Sequence, residues 1–153
     1  MSRYQLRLAD KNDAICLTML DDWCGHYEKT KDSEIEGIKY QVRELIEEKI
    51  SSGLVELMAI TKDRTDVGLV AHSTREGFME GMVFWVKPEH RCLGIMETTF
   101  DLLLALACKR KLLGISFDSK IWRNAPLRLG FSLERTKNDG VDVVKTWVKK
   151  CST

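Results

Sequence analysis

The stretch VFWVKPEHRCLGIMETTF, Val83 to Phe100, decides how this chain is read. An apolar run at Met82 to Val86 stops at Pro88, which has no N–H to give a sheet ladder, and apolar residues at helical spacing resume at Ile95. The segment therefore predicts a strand, a turn and a helix. Between strand and helix lies Arg91-Cys92-Leu93-Gly94. A glycine at the mouth of a helix lets the backbone approach a ligand, and the unpaired N–H groups of the first turn favour an anion such as a pyrophosphate. Spacing alone also describes an ordinary strand-to-helix turn, and taken by itself it favours that.

Upstream, Phe78 to Val86 is the last of three apolar runs. Leu54 to Thr61 and Val67 to His72 precede it, separated by a charged loop at Lys62 to Asp66 that fits a hairpin. Before these come a short alternating strand at Tyr4 to Leu8 and two amphipathic helices. The first is capped by Asp10 and striped by Ile15, Cys16, Met19, Leu20, Trp23 and Tyr27. The second opens on a Ser33–Glu36 capping box and runs through Ile35, Ile38, Val42, Leu45, Ile46 and Ile50 to Gly53. Downstream, the helix from Ile95 to Arg110 is apolar nearly all round between Leu102 and Ala107, which predicts burial on more than one side. Leu112 to Asp118 reads as a strand parallel to its predecessor, because a strand and a helix come before it. A short helix near Trp122 to Leu129, the Asn138-Asp139-Gly140 turn and a last strand at Val141 to Val148 complete the chain. The order is β-α-α-β-β-β-α-β-α-β-β, an α+β chain with a central mixed, mostly antiparallel sheet flanked by helices.

The chain has 153 residues, 31% of them charged and 44% hydrophobic, which suits one soluble domain spanning 1–153. The N-terminus has no apolar stretch of signal-peptide length, nowhere do eighteen apolar residues run together, and the five cysteines suit a reducing compartment better than a disulfide framework. The expectation is a cytoplasmic protein that does not bind membranes. A net charge of +1 hides an asymmetry: eight acidic residues against three lysines between Ala9 and Glu36, then thirteen Lys and Arg against seven Asp and Glu from Trp85 to Lys150. The basic half suits phosphates and the acidic half a cation. No basic stripe interleaved with aromatics marks a nucleic-acid reader, although Trp122 and Arg123 have the chemistry to stack on a base.

The element order, with Val86-x-Pro88-x-x-Arg91-x-x-Gly94 after the fourth strand and Leu129-Gly130-Phe131 after the last helix, resembles the GNAT superfamily of acyl-CoA-dependent N-acyltransferases. Arg7-Leu8-Ala9-Asp10 leading to Asp13-Ala14 looks like that family's opening strand and helix, and Asp66 to Ala71 like its second-to-third strand hairpin. The resemblance implies acyl transfer from acetyl-CoA to an amine by direct attack in a ternary complex. It also implies a coenzyme A site formed by Trp85, Val86, Arg91, Cys92, Leu93, Gly94, Ile95 and Met96. Backbone N–H groups from Cys92 to Met96 would cradle the pyrophosphate, and the N–H of Trp85 or Val86 would polarise the thioester carbonyl. Glu80, six residues before Val86, stands where the family places a carboxylate base, and Phe78, Met82 and Phe84 around it would desolvate it. A solvated strand-edge glutamate is the competing reading.

Two residues depart from the family pattern. Met96 replaces a small residue, and Pro126 stands where many members carry the tyrosine that protonates the leaving thiolate. Both favour the rival possibility, a catalytically inactive GNAT-fold binding or structural module. The acidic first helices suggest an amine-bearing acceptor, small molecule or protein, with a cationic character, and exposed strand edges leave room for a homodimer. Lys109-Arg110-Lys111 reads as helix-dipole compensation before it reads as a phosphate contact. Cys24-Gly25-His26 and His90-Arg91-Cys92 lack zinc-site spacing, so no metal is expected. Cys92 has only His90 as a neighbouring base, a poor arrangement for a nucleophile, and His72 reads as structural.

Overall fold

The structure, a computed structural model, describes residues 3–30, 44, 46–91, 94–119, 125–138 and 143–152. Among these residues seven strands follow the order β1-β2-β3-β4-β5-β7-β6. They are β1 (Tyr4–Ala9), β2 (Glu56–Lys62), β3 (Thr65–Arg75), β4 (Phe78–Val86), β5 (Gly114–Ser119), β6 (Ser132–Asn138) and β7 (Val143–Lys150). The helices are α1 (Ala14–Thr30), a helical stretch at 46–51 (α2), α3 (Ile95–Lys109) and the short α4 (Ala125–Arg128). The chain gathers into two compact units, Met1–His72 with Val83–Leu93 and Ser73–Met82 with Gly94–Thr153.

In the first unit β1 pairs antiparallel with β2, and β2 with β3. The β2–β3 turn puts Asp63 and Arg64 at φ of 50° and 68°, two consecutive left-handed residues of the kind a two-residue hairpin requires. Leu57, Met58, Ala59 and Ile60 are all buried, so β2 is covered on both faces, and α1 packs on it through Cys16, Met19 and Leu20. The predicted stripe of α1 holds at those positions, but Ile15 is exposed. The cap also moves: Asp13 Oδ1 accepts the N–H of Cys16, while Asp10 Oδ1 accepts that of Asn12 and only tightens the preceding turn. Arg7 on β1 then ties the cap to β3, pairing with Asp13 at 2.7 Å and with Asp66 at 3.1 Å. Of the predicted second helix, residues 46–51 are helical with Ile46 buried, and its Ser33–Glu36 start lies outside the described residues.

In the second unit β4 pairs parallel with β5 from Phe78↔Gly114 to Gly81↔Phe117, where the ladder ends. β5 continues antiparallel to β7, and β7 to β6. Alternation sorts the side chains: Met79, Ile115, Phe117 and Trp147 share one face, and Glu80, Ser116, Asp118 and Thr146 the other. α3 covers the first face, where Phe100 stacks on Phe117 at 5.6 Å and both rings meet Phe131 edge-on at 5.2 and 5.0 Å. Phe131 of the Leu-Gly-Phe ending is thus a core residue. Burial on α3 is narrower than its composition predicts. Ile95, Thr99, Phe100, Leu103 and Ala107 are buried, whereas Leu102, Leu104 and Leu106 are half-buried and Ala105 is exposed. One stripe suffices to seat a helix on a sheet, and its other apolar residues need no partner. The cysteine reading is also corrected, because Cys108 at the end of α3 and Cys151 after β7 form a disulfide. They lie 43 positions apart in the chain, a pairing that only the fold creates.

Candidate active site

Three parts of the chain carry the residues singled out above. The first is the end of β4. Trp85 and Val86 are buried, and the N–H of Lys87 donates to Val67 O at 2.9 Å. The chain then turns through a single 3₁₀ turn at Pro88–His90. Arg91 folds back over this turn: its guanidinium lies 4.4 Å from the Trp85 ring centre and its Nε donates to Val86 O at 2.8 Å. A flat, delocalised cation can stack and donate at once, which an ammonium cannot. Arg91 therefore holds the end of β4 in place. Gly68 on β3 explains how closely these strands approach, since a Cβ there would lie 2.6 Å from the Trp85 carbonyl oxygen.

The second part is the start of α3. Gly94 adopts φ +94°, a left-handed conformation that favours glycine, and no side chain caps the helix. The N–H of Thr98 makes the first helical bond, to Gly94 O, so the N–H groups of Ile95, Met96 and Glu97 precede the ladder. Among the described residues, nothing lies within 4 Å of where a Gly94 Cβ would sit. This backbone is open to an approaching anion. Met96 is half-buried, and Cys92 and Leu93 lie outside the described residues.

The third part is the face of the second unit opposite α3. Glu80 sits there, half-buried, with Arg75 Nη1 3.6 Å from its Oε2. The sequence reading surrounded this carboxylate with apolar side chains, and the structure also sets a guanidinium beside it. A tight turn places the two together, with Glu76 and Gly77 at φ of 54° and 85° and the Gly77 carbonyl accepting the N–H of Leu113 at 2.8 Å. The pair lines a cleft of about 160 Å³ with Ser116, Asp118, Arg135 and Thr146. Within it the Thr146 hydroxyl donates to Asp118 at 2.7 Å and accepts from Arg135 Nε at 3.4 Å. Sequence reasoning missed Arg75, Asp118, Arg135 and Thr146. The available signal was Arg75 and Glu80 flanking a Glu-Gly turn, because a tight hairpin brings such residues alongside each other.

Pro126, at the position of the family's tyrosine, is fully buried, and its carbonyl accepts the N–H groups of Leu129 and Phe131. It is a structural residue. The Arg7 guanidinium, chiefly by hydrogen bonding, holds the Asp13 carboxyl below its usual range. Burial, with the Asp13 charge adding to it, pushes the Cys16 thiol up to about 12, so Cys16 is inert as a nucleophile. His72 is buried with Nε2 3.2 Å from Glu56 Oε1, a structural contact. Among the described residues no group of three His, Cys, Asp or Glu could hold a metal ion, and Trp122 and Arg123 lie outside them.

No family model and no curated protein matches this sequence. Solved structures do match its fold. The acetyltransferase from Salmonella typhimurium that modifies the N-terminal serine of ribosomal protein L7/L12 superposes with a TM-score of 0.72 at 14% identity, over 99% of this chain and 97% of that one. The spermidine N-acetyltransferase of Vibrio cholerae gives 0.68 at 17% identity, over 98% and 95%. The PaiA N-acetyltransferase of Thermoplasma acidophilum, solved with coenzyme A, gives 0.64 at 18% identity, over 99% and 100%. The chain has the GNAT acyltransferase fold.

Proposed function

We propose that this protein is an acyl-CoA-dependent N-acyltransferase that moves an acetyl group onto an amine. The observation that carries the reading is the turn into α3: a left-handed Gly94, followed by a helix start whose first N–H groups meet no side-chain cap among the described residues. Such a terminus suits the pyrophosphate of a coenzyme A thioester. Backbone N–H groups from Cys92 to Met96 hold that anion, and the N–H of Trp85 or Val86 polarises the thioester carbonyl. Because these donors are main-chain groups, the side chain of Met96 does not remove them.

Glu80 takes the proton from the attacking amine. An amine with an ordinary pKa near 10.4 must give up about 5 kcal/mol of proton affinity to react at pH 7. As its nitrogen bonds to the acyl carbon, the carbon–sulfur bond breaks and coenzyme A leaves as a thiolate. A thiol pKa of about 8.5 makes that leaving group tolerable without an acid, which accommodates Pro126. Support for an amine acceptor comes from the fold neighbours, whose acceptors are a protein N-terminal serine in one and spermidine in another.

Thiol release from acetyl-CoA, measured across a panel of small amines and peptides with mass analysis of the products, tests the reading. Amine-dependent release with an acetylated product is expected. Release that no amine accelerates would point instead to a GNAT-fold protein without transfer activity.

A further inference from the structure

We infer that the Arg75–Glu80 pair makes the cleft beside it selective for an acceptor whose amine stands next to a carbonyl or carboxylate oxygen, an α-amino acid or the free N-terminus of a peptide. The inference rests on the acyl-transfer reading above. The two side chains present a guanidinium and a carboxylate side by side, 3.6 Å apart. A closed charge-assisted pair sits at about 2.7–2.9 Å, so both groups retain capacity for a ligand. The chemical complement is an ammonium and an oxygen on adjacent carbons: nitrogen to Glu80, oxygen to Arg75.

The rest of the wall repeats the pattern. Arg135 and Asp118 stand at opposite ends of the Thr146 hydroxyl, which accepts from one and donates to the other. Oppositely charged groups thus alternate along the cleft, and Phe78 and Val148 supply apolar lining. A simple alkylamine would place its charge near two guanidiniums and leave them without an oxygen, and a diamine would do so twice. Four carboxylates against two guanidiniums still draw the ammonium in. At about 160 Å³ the cleft is smaller than drug-sized pockets of roughly 300 Å³ and above, so it admits one small residue or the end of a chain.

Arg75 is accordingly a specificity residue, positioned by the Glu76-Gly77 turn. It is 53% exposed in its side chain and makes no other ion pair among the described residues, so changing it disturbs little of the fold.

The test is an NMR titration of the intact chain, without acyl donor, using L-alanine, L-alanyl-L-alanine, n-propylamine and a linear diamine. Alanine or the dipeptide should bind at least about tenfold more tightly than either simple amine, because only they satisfy both partners. Tighter binding of alanine assigns the free amino acid, and tighter binding of the dipeptide assigns a chain end. In Arg75→Gln the preference should fall to within about threefold, through weaker alanine binding and propylamine binding that is no weaker than in the wild type, and Arg75→Lys should restore part of it. Equal or tighter binding of propylamine or the diamine overturns the inference, as does a preference that survives Arg75→Gln or no binding of any probe. Since no acyl donor is present, failure of acyl transfer would leave this result standing, and the reverse holds too.

Discussion

Replacing Arg91 with methionine keeps an unbranched side chain and removes the guanidinium that clamps the end of β4. Two contacts go at once: the Nε–H bond to Val86 O at 2.8 Å and the stack on Trp85 at 4.4 Å. A hydrogen bond from a charged donor contributes about 1.5–3 kcal/mol net, and a cation over an indole about 0.5–1 kcal/mol. Partial solvation of Arg91 argues for the lower end, about 2 kcal/mol in all. If that energy orders the backbone that meets acetyl-CoA, its loss raises the Kd by about 30-fold, at 1.4 kcal/mol per factor of ten. Calorimetry with acetyl-CoA on the wild type and on Arg91→Met measures this, with a thermal melt to confirm folding. Arg91→Lys makes the test sharper. Lysine keeps the charge but cannot stack flat while donating to Val86 O, so its affinity should fall nearly as far. Full affinity in Arg91→Lys would mean that Arg91 acts by charge on the phosphates, and unchanged affinity in Arg91→Met would refute the clamp.

Glu80→Gln should lower kcat by about 10²–10⁴-fold with little change in acetyl-CoA affinity, and an unaltered rate between pH 6 and 9 would remove the base role. Gly68→Ala drives a methyl to 2.6 Å from the Trp85 carbonyl oxygen and 2.9 Å from Ile60 Cδ1. Overpacking of this kind costs about 1–3 kcal/mol, at about 2–4 °C of Tm per kcal/mol, and a melt that does not move would show that the strands adjust freely. Asp13 titrates below its usual range because Arg7 bonds to it, so its contribution to stability is present above about pH 4 and is lost as the pH falls through its depressed value. The difference in urea midpoint between wild type and Asp13→Asn should therefore shrink towards pH 2, and a constant difference would deny the ion pair an energetic role.

The parts of this structure legible in the sequence are those set by local chemistry. Pro88 and the apolar spacing from Ile95 marked β4 and the start of α3, and the apolar runs at Leu54 to Thr61 and Val67 to His72 marked β2 and β3. The Lys62 to Asp66 loop gave its hairpin for the same reason, since two polar residues can take the left-handed turn. Misreadings came where distant groups decide. Asp10 and Asp13 are both sound caps by residue type, and Arg7 with Asp66, fifty-nine residues away, reinforces the second. The Cys108–Cys151 bond depends on β7 returning beside the end of α3. In the cleft, Glu80 was legible from its place on β4, whereas Asp118, Thr146 and Arg135 meet only because β5, β7 and β6 pair in one register, with a bulge between Leu133 and Arg135. Apolar periodicity in α3 misled in the opposite direction, because composition does not say how many faces a neighbour will cover.

Calorimetric titration of the wild-type chain with acetyl-CoA tests the central claim most directly, because the coenzyme A site proposed at Trp85, Val86, Arg91, Gly94 and Met96 depends on it. Saturable one-to-one binding, weakened by removing the pyrophosphate-bearing half of the ligand, is the predicted result. No heat of binding at millimolar acetyl-CoA would contradict it.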